Sequence, residues 1–206
     1  HALGLIAGMA KAGLKPIMPI YSSFLQRGYD QIVHDIALSG IPVTVCIDRA
    51  GIVGNDGETH QGIFDLSFLS SIPNIVIMAP KNFEELEKML EFGINLNKPV
   101  FIRYPRGGEN LKFSKTEKIT LGKAEILQTG TDISIIAIGK MVERAKEVAN
   151  LLPDKKMEII NARFLKPLDE ETILKSIEKT KKVITIEDNL KNGGLGTAVI
   201  ELINRK

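Results

Sequence analysis

The chain has 206 residues, 27 basic and 25 acidic side chains, a formal net charge of +2 and 44% hydrophobic residues. That suits a sizeable core in one large or two small domains, and so even a charge balance gives no general reason to expect nucleic acid or an anionic membrane as a partner. No apolar run approaches the ~20 residues needed to cross a bilayer, and a single cysteine, Cys46, excludes an intrachain disulfide, which fits a reducing, cytoplasmic compartment.

In chain order, residues 1–12 are small and apolar with helical character, and Gly13 ends them. Residues 16–21 read as a short strand. Residues 24–38 carry Phe24, Leu25, Ile32, Val33 and Ile36 at helical spacing, closed by Gly40. Strands are predicted at 42–47, 73–78 and 99–104, with a helix at 83–92. Strands alternating with helices imply a largely parallel sheet covered on both faces. Residues 105–120 lack periodicity and read as an exposed linker. A second α/β block follows, with strands at 124–127, 133–138, 157–161 and 182–186, and helices at 141–152, 169–180 and 195–203. The domains are therefore drawn at 1–107 and 122–206, joined by a linker at 108–121. The chain starts at His1, without a methionine, and ends on a helix that no strand follows, so truncation at both ends is expected.

The loop 48–62 follows a buried strand and packs four glycines, Arg49, His60 and the acids Asp48, Asp56 and Glu58 into fifteen residues. Loops at strand ends on a rigid scaffold are where α/β proteins keep their chemistry. Tyr21, Phe24 and Arg27 lie at another strand-to-helix junction, three apart and so on one helix face. An aromatic ring and a guanidinium there suit a planar heterocycle or an anion; the bland alternative makes Phe24 plain core. Ser22 or Ser23 suits a helix cap. Of Arg103 and Arg106 at the end of another strand, one is expected to stabilise the fold and the other to reach the cleft. Arg106 and Arg49 together can clamp a phosphate or carboxylate, or each can form a structural ion pair. Cys46 and His34 are read as structural. The glycine turn 192–196 can hold an anion at a helix start, but close strand–helix packing is the preferred reading. No His, Cys or carboxylate spacing matches a standard metal site.

The segments YSSFLQRGYDQIVHDIALSGIPV, DRAGIVGNDGETHQGIFDLSFLSSIPNIVIMAP and FIRYPRG, with the later NARFLKPLDEE, closely resemble the 1-deoxy-D-xylulose-5-phosphate synthases, thiamine diphosphate enzymes of the transketolase kind. The resemblance covers essentially the whole chain, in order. It implies two α/β domains: a transketolase-like pyrimidine-binding domain with a mainly parallel sheet, lacking its extreme N-terminus, and a smaller, truncated C-terminal domain. It also implies a homodimer whose N-terminal domain, which holds the diphosphate through Mg2+, is not in this chain. The family condenses pyruvate with D-glyceraldehyde 3-phosphate, releasing carbon dioxide, in isoprenoid, thiamine and pyridoxal precursor synthesis.

By that resemblance, Phe24 stacks on the pyrimidine with Arg27 beside it. Tyr21, Arg49 and Arg106 hold the acceptor's phosphate end, and Asp56 meets its hydroxyl. His60 is the catalytic hydrogen-bond donor or proton shuttle, work for which imidazole is suited near neutrality. The family's cofactor-activating glutamate falls in a Glu-Gln-His-Ala segment, so it would lie just before His1. The 206-residue stretch alone is therefore expected to be inactive, with no metal site of its own, and to expose apolar surface that belongs to an interface. Two alternatives remain: the C-terminal subunit of a split transketolase-like enzyme, and a non-catalytic assembly domain.

Overall fold

The computed structural model describes residues 1–113 and 116–205. Its first block runs α1 (Ala2–Lys11), β1 (Ile17–Tyr21), α2 (Ser22–Leu25), α3 (Tyr29–Gln31), β2 (Thr44–Asp48), α4 (Asp65–Ser70), β3 (Val76–Met78), α5 (Phe83–Asn95) and β4 (Val100–Arg103). The second runs β5 (Glu125–Gln128), β6 (Ile133–Ala137), α6 (Met141–Leu151), β7 (Met157–Asn161), β8 (Phe164–Lys166), α7 (Glu170–Thr180), β9 (Val183–Ile186) and α8 (Leu195–Asn204). One sheet has the order β1-β2-β4-β3-β8, its first four strands parallel and β8 antiparallel. The other has the order β5-β7-β6-β9, with β5 antiparallel to the rest.

The local chemistry explains most of these elements. Nearly every residue of β2, β3 and β4 is buried, and their centres are apolar, as in helix-covered parallel strands. α1 buries Leu3, Ile6, Ala7 and Ala10, a stripe at helical spacing. Asn82 caps α5 by accepting from the Glu85 amide at 2.9 Å. No helix among the described residues is long and apolar enough to cross a membrane.

Asp169 caps α7 and also receives the Ala124 amide at 3.0 Å, tying β5 to that helix. Burial pushes the Asp169 carboxyl up. Donation from Ala124 and Thr172, with Lys123 nearby, outweighs it and holds the group below its ordinary value. A depressed carboxylate stabilises the fold fully above its unfolded value of about 4. That contribution is lost as pH falls through the lower folded value. Asp169→Ala is expected to lower the unfolding free energy by about 1–2 kcal/mol at pH 7. Denaturant unfolding at pH 7 and at about pH 3 should show the gap shrinking at the acid end.

Five features differ from the expectations. The helix expected over 24–38 begins at Ser22 and is not continuous: α2 passes into a 3-10 turn (Gln26–Gly28), then α3, then a π-helical stretch (Ile32–Ala37). Leu25, Ile32 and Ile36 all still reach the core. The tight turn lies where the segment meets α1, since a Cβ on Gly28 would sit 2.1 Å from Leu3 Cδ1. Neither serine caps this segment; Tyr21 is in the cap position and its side chain makes no capping bond. The short helix α4 was not anticipated either, being under two turns long.

The expected linker has no regular structure and is exposed at most of its described positions, but it is anchored at two of them. Thr116 and Ile119 are buried, the Thr116 amide donates to Glu84 at 3.2 Å, and Ile119 joins Met89, Val100 and Phe164 in a core cluster. The chain passes α5 here, where Lys88 also donates to the Thr116 carbonyl, and buries Ile119 on the way. Residues 114–115 lie outside the described residues. Finally, β8 was missed altogether. It belongs to the second half of the chain yet pairs with β3 of the first sheet, Ile77 opposite Lys166 and Met78 opposite Phe164. Three residues are too few to show a strand period.

A buried ionic network lies beside this crossover. Lys81 Nζ reaches Glu85 at 3.1 Å and Glu125 at 2.7 Å, while Arg163 reaches Glu85 at 2.7 Å and Glu125 at 3.1 Å. Asn161 Nδ2 donates to both carboxylates. Two cations and two anions, all nearly inaccessible, thus join the two halves with formal neutrality.

Candidate active site

β1, β2 and β4 are adjacent and parallel, with Tyr21 level with Asp48 and Ile47 level with Arg103. Their carboxyl ends therefore open together along one edge, where open parallel sheets take ligands. Tyr21 ends β1, Arg49 follows β2, and Arg106 follows β4. Arg49 has φ 56, a left-handed conformation that is strained for any side chain with a Cβ. It turns the chain sharply at the strand end, and its guanidinium carbon sits 4.2 Å over the Tyr21 ring.

The loop beyond Arg49 is closed at its stem. Gly51 and Gly62 exchange backbone hydrogen bonds of 2.6 and 2.8 Å. Gly62 cannot carry a side chain, because its Cβ would lie 2.1 Å from the Arg49 carbonyl oxygen and 2.8 Å from Ser22 Cβ. Gln61 braces the interior: its Oε1 accepts from the Val53 amide at 2.8 Å, and its Nε2 donates to the carbonyls of Val53 and Gly57 at 2.9 and 2.7 Å. Two 3-10 turns, Gly54–Asp56 and Glu58–His60, then face Asp56 and His60 toward the strand ends.

Six of the seven sequence-predicted site residues meet here. The rings of Tyr21 and Phe24 stack at 5.5 Å and 14°. His60 stands edge-on to Phe24 at 5.2 Å and to Tyr21 at 6.1 Å, with Nδ1 2.9 Å from Thr59 Oγ1. Arg106 pairs with Asp56 Oδ1, and Arg49 Nε lies 3.5 Å from Asp56 Oδ2. Arg49 also pairs with Asp48. The two guanidinium groups thus converge, but on an internal carboxylate. Arg49 Nε and Asp56 Oδ2 are buried and have no hydrogen bond among the described residues, so the pair is loosely closed. Arg27 stands apart: it is exposed, with no side-chain partner or ring contact among the described residues.

The other candidates are structural. Arg103 is buried against Asp65 at 2.8 Å. Burial pushes the Cys46 thiol up to about 11, so it stays protonated in the core. His34 pairs with Asp30 on an exposed helix face. At the glycine turn, the Glu187 carboxylate accepts from the amides of Leu195 and Gly196 at 2.8 Å each. The helix start does hold an anion, but one from this chain. A Cβ on Gly194 would lie 2.0 Å from Glu187 Oε2, so the packing reason for the glycine stands. Sequence reading missed Gln61 and Asp188 as parts of the site. A glutamine gives no chemical signal by itself, and Asp188 comes from the other half of the chain.

A half-exposed aromatic platform, two converging guanidinium groups and an imidazole are thus gathered at the ends of parallel strands, the arrangement of an α/β enzyme site. Phe24 is 48% exposed with Tyr21 covering one face of its ring, which fits a ring such as a pyrimidine. Residues 1–110 match the transketolase pyrimidine-binding domain and residues 122–206 the transketolase C-terminal domain; the chain belongs to the transketolase family.

Within that family it is similar to the 1-deoxy-D-xylulose-5-phosphate synthases, as the sequence motifs indicated. That of Halothermothrix orenii is 53% identical over 208 residues, covering 99% of this chain and 33% of the relative. One from Clostridium perfringens is 51% identical over 209 residues, covering 99% and 34%. The chain thus spans about a third of the length of the curated relatives it matches. Among solved structures, a split-gene transketolase described as an inactive β4 tetramer superposes with a TM-score of 0.92 at 28% identity, covering 99% of this chain and 68% of the other. A Pichia stipitis transketolase, at 21% identity and a TM-score of 0.72, shares the fold.

Proposed function

We propose that this chain is the pyrimidine-binding and C-terminal part of an enzyme that condenses pyruvate and D-glyceraldehyde 3-phosphate into 1-deoxy-D-xylulose 5-phosphate, with loss of carbon dioxide. The observation that carries this reading is the convergence of Tyr21, Phe24, Arg49, Asp56, His60 and Arg106 at three strand ends. The identity of about half to synthases of that name supports the same choice. Thiamine diphosphate, if bound with Mg2+, would supply the electron sink for the electron pair that loss of carbon dioxide from pyruvate leaves behind.

The chain's own residues have separate work. Phe24 takes the pyrimidine on its open face, and the exposed Arg27, which stands apart from the other site residues, is free to approach the cofactor only once the missing part of the site is in place. Arg49 and Arg106, with Tyr21 beneath Arg49, receive the acceptor's phosphate as a paired clamp. Asp56, displaced from the two arginines by that phosphate, accepts a hydrogen bond from the acceptor's hydroxyl. His60 donates to the reacting oxygens and moves the proton. The Mg2+ and diphosphate ligands are assigned to a separate N-terminal domain. A cytoplasmic homodimer completes this reading; its interface is supported by the exposed apolar side chains Leu5 on α1, Leu14 in the connection that follows it and Ile17 on the edge strand β1.

A second reading, a subunit of a split transketolase-like enzyme, is favoured by the likeness to the split-gene protein. Turnover of the whole protein with thiamine diphosphate and Mg2+ distinguishes the two. Carbon dioxide release and product formation from pyruvate and D-glyceraldehyde 3-phosphate are expected. Transfer of a ketol unit from a ketose phosphate, with no use of pyruvate, would establish the second reading. In either case the 206-residue chain alone should show no turnover and negligible thiamine diphosphate binding by calorimetry; micromolar binding would overturn that.

A further inference from the structure

The segment after β9 reaches across from the second half of the chain and grips the loop 48–62 and its continuation. The Leu190 amide donates to the Ile63 carbonyl at 3.0 Å. Ser67 Oγ donates to the Asn192 carbonyl at 2.5 Å and accepts from Asn189 Nδ2 at 2.9 Å. Both carboxylate oxygens of Asp188 lie 3.2 Å from the Ile52 amide. The Asp188 carbonyl receives Arg103 at 2.9 Å, so its backbone is fixed to the end of β4 while its side chain meets the loop. Gly51, at φ +83, makes room for it: a Cβ there would lie 2.0 Å from Asp188 Oδ2.

Among the described residues, the half-buried Asp188 carboxylate has no ion-pair partner. Its side chain is engaged only by that one loop amide. Ile52 is followed by Val53, whose amide and carbonyl are both held by Gln61, which also holds Gly57 between Asp56 and His60. A continuous set of contacts therefore runs from Asp188 to the two loop turns that carry site residues.

We propose that Asp188 is a positioning residue: a carboxylate from the C-terminal half that sets the stem of the loop from which Arg49, Asp56 and His60 project. It touches no reacting atom and acts through the loop backbone. The kinetic part rests on the reading above, in which the loop binds a phosphorylated acceptor. In that reading Arg49, just ahead of the Ile52 amide that Asp188 holds, binds the acceptor's phosphate, so displacing the stem should raise KM for the acceptor more than it lowers kcat.

The test uses the whole protein with Asp188→Ala and Asp188→Asn. Asp188→Ala should raise KM for the phosphorylated acceptor about tenfold, with kcat within about threefold of the parent. Asp188→Asn should recover most of the loss, since its side-chain oxygen still accepts from the Ile52 amide. Amide hydrogen exchange should quicken at Ile52, Val53 and Gly62 in Asp188→Ala, with the strands unchanged. Unchanged exchange at these amides would overturn the proposal. So would a joint fall of kcat, KM and strand protection with no rescue by asparagine, which marks a general structural role. If the parent does not use the phosphorylated acceptor, the functional reading fails, and the exchange measurement still decides the positioning role.

Discussion

Glu85→Ala is expected to lower the unfolding free energy of the whole protein by about 3–5 kcal/mol. Glu85 is fully buried and accepts from the Lys81 amide at 2.7 Å, from Lys81 Nζ at 3.1 Å, from Asn161 at 3.1 Å and from Arg163 Nε at 2.7 Å. Removing it leaves Lys81 and Arg163 sharing Glu125 alone in a site that water does not reach. An unpaired buried charge carries most of that loss, rather than the value of any single bond. The network also sits where the halves meet: Lys81 and Glu85 come from the first, Glu125 and Arg163 from the second. Glu85→Ala should therefore reduce cooperativity, with separate transitions for the two halves in denaturant unfolding. A loss below about 1 kcal/mol in a single sharp transition would mean that the network relaxes or hydrates when opened. Replacing all four charges by apolar residues of similar volume should be far milder than removing one.

Arg49→Ala is expected to reduce kcat/KM for the phosphorylated acceptor about 100-fold, with a much smaller effect on an acceptor lacking the phosphate. Arg49 is bound to Asp48, packs over Tyr21 and faces Asp56 across 3.5 Å. Alanine removes the charge but keeps the strained left-handed backbone at φ 56. Glycine at the same position removes the charge and relieves the strain. Arg49→Gly should therefore be more thermally stable than Arg49→Ala and equally poor with the phosphorylated acceptor. That pairing separates a lost phosphate contact from a damaged loop. Equal losses with both acceptors would instead place Arg49 in cofactor or fold support. A smaller, parallel loss is expected from Arg106→Ala, because Arg106 is more exposed and its phosphate contact is better screened.

Much of the fold was legible because its causes are local. The strand at Met157–Asn161 was read to the residue, and those at Thr44–Asp48 and Val100–Arg103 nearly so, because short runs rich in isoleucine, valine and other apolar residues, bounded by turn-forming or polar residues, admit few other structures. Asn82 and Asp169 mark helix starts through side chains that bond the next turn. The winding of Gln26–Gly28 was not legible, since it answers to Leu3 on another helix. Nor was β8, whose three residues become a strand only because the open edge of β3 is there to pair with them.

The site divides in the same way. By itself the sequence determined which chemical groups were present: aromatic residues and guanidinium groups near strand ends, and a loop with histidine, acids and glycines. Residue type and the spacing of short motifs carry that information directly. Only the tertiary structure decided which of these groups meet. It stacked Phe24 on Tyr21, left Arg27 outside, and closed Arg49 and Arg106 on Asp56. It also brought Asp188 across 136 positions of chain to hold the Ile52 amide at the stem of the loop. A hydrogen bond between distant segments depends on how two sheets are placed against each other, and that placement is set by the summed packing of both cores rather than by any residue near the bond.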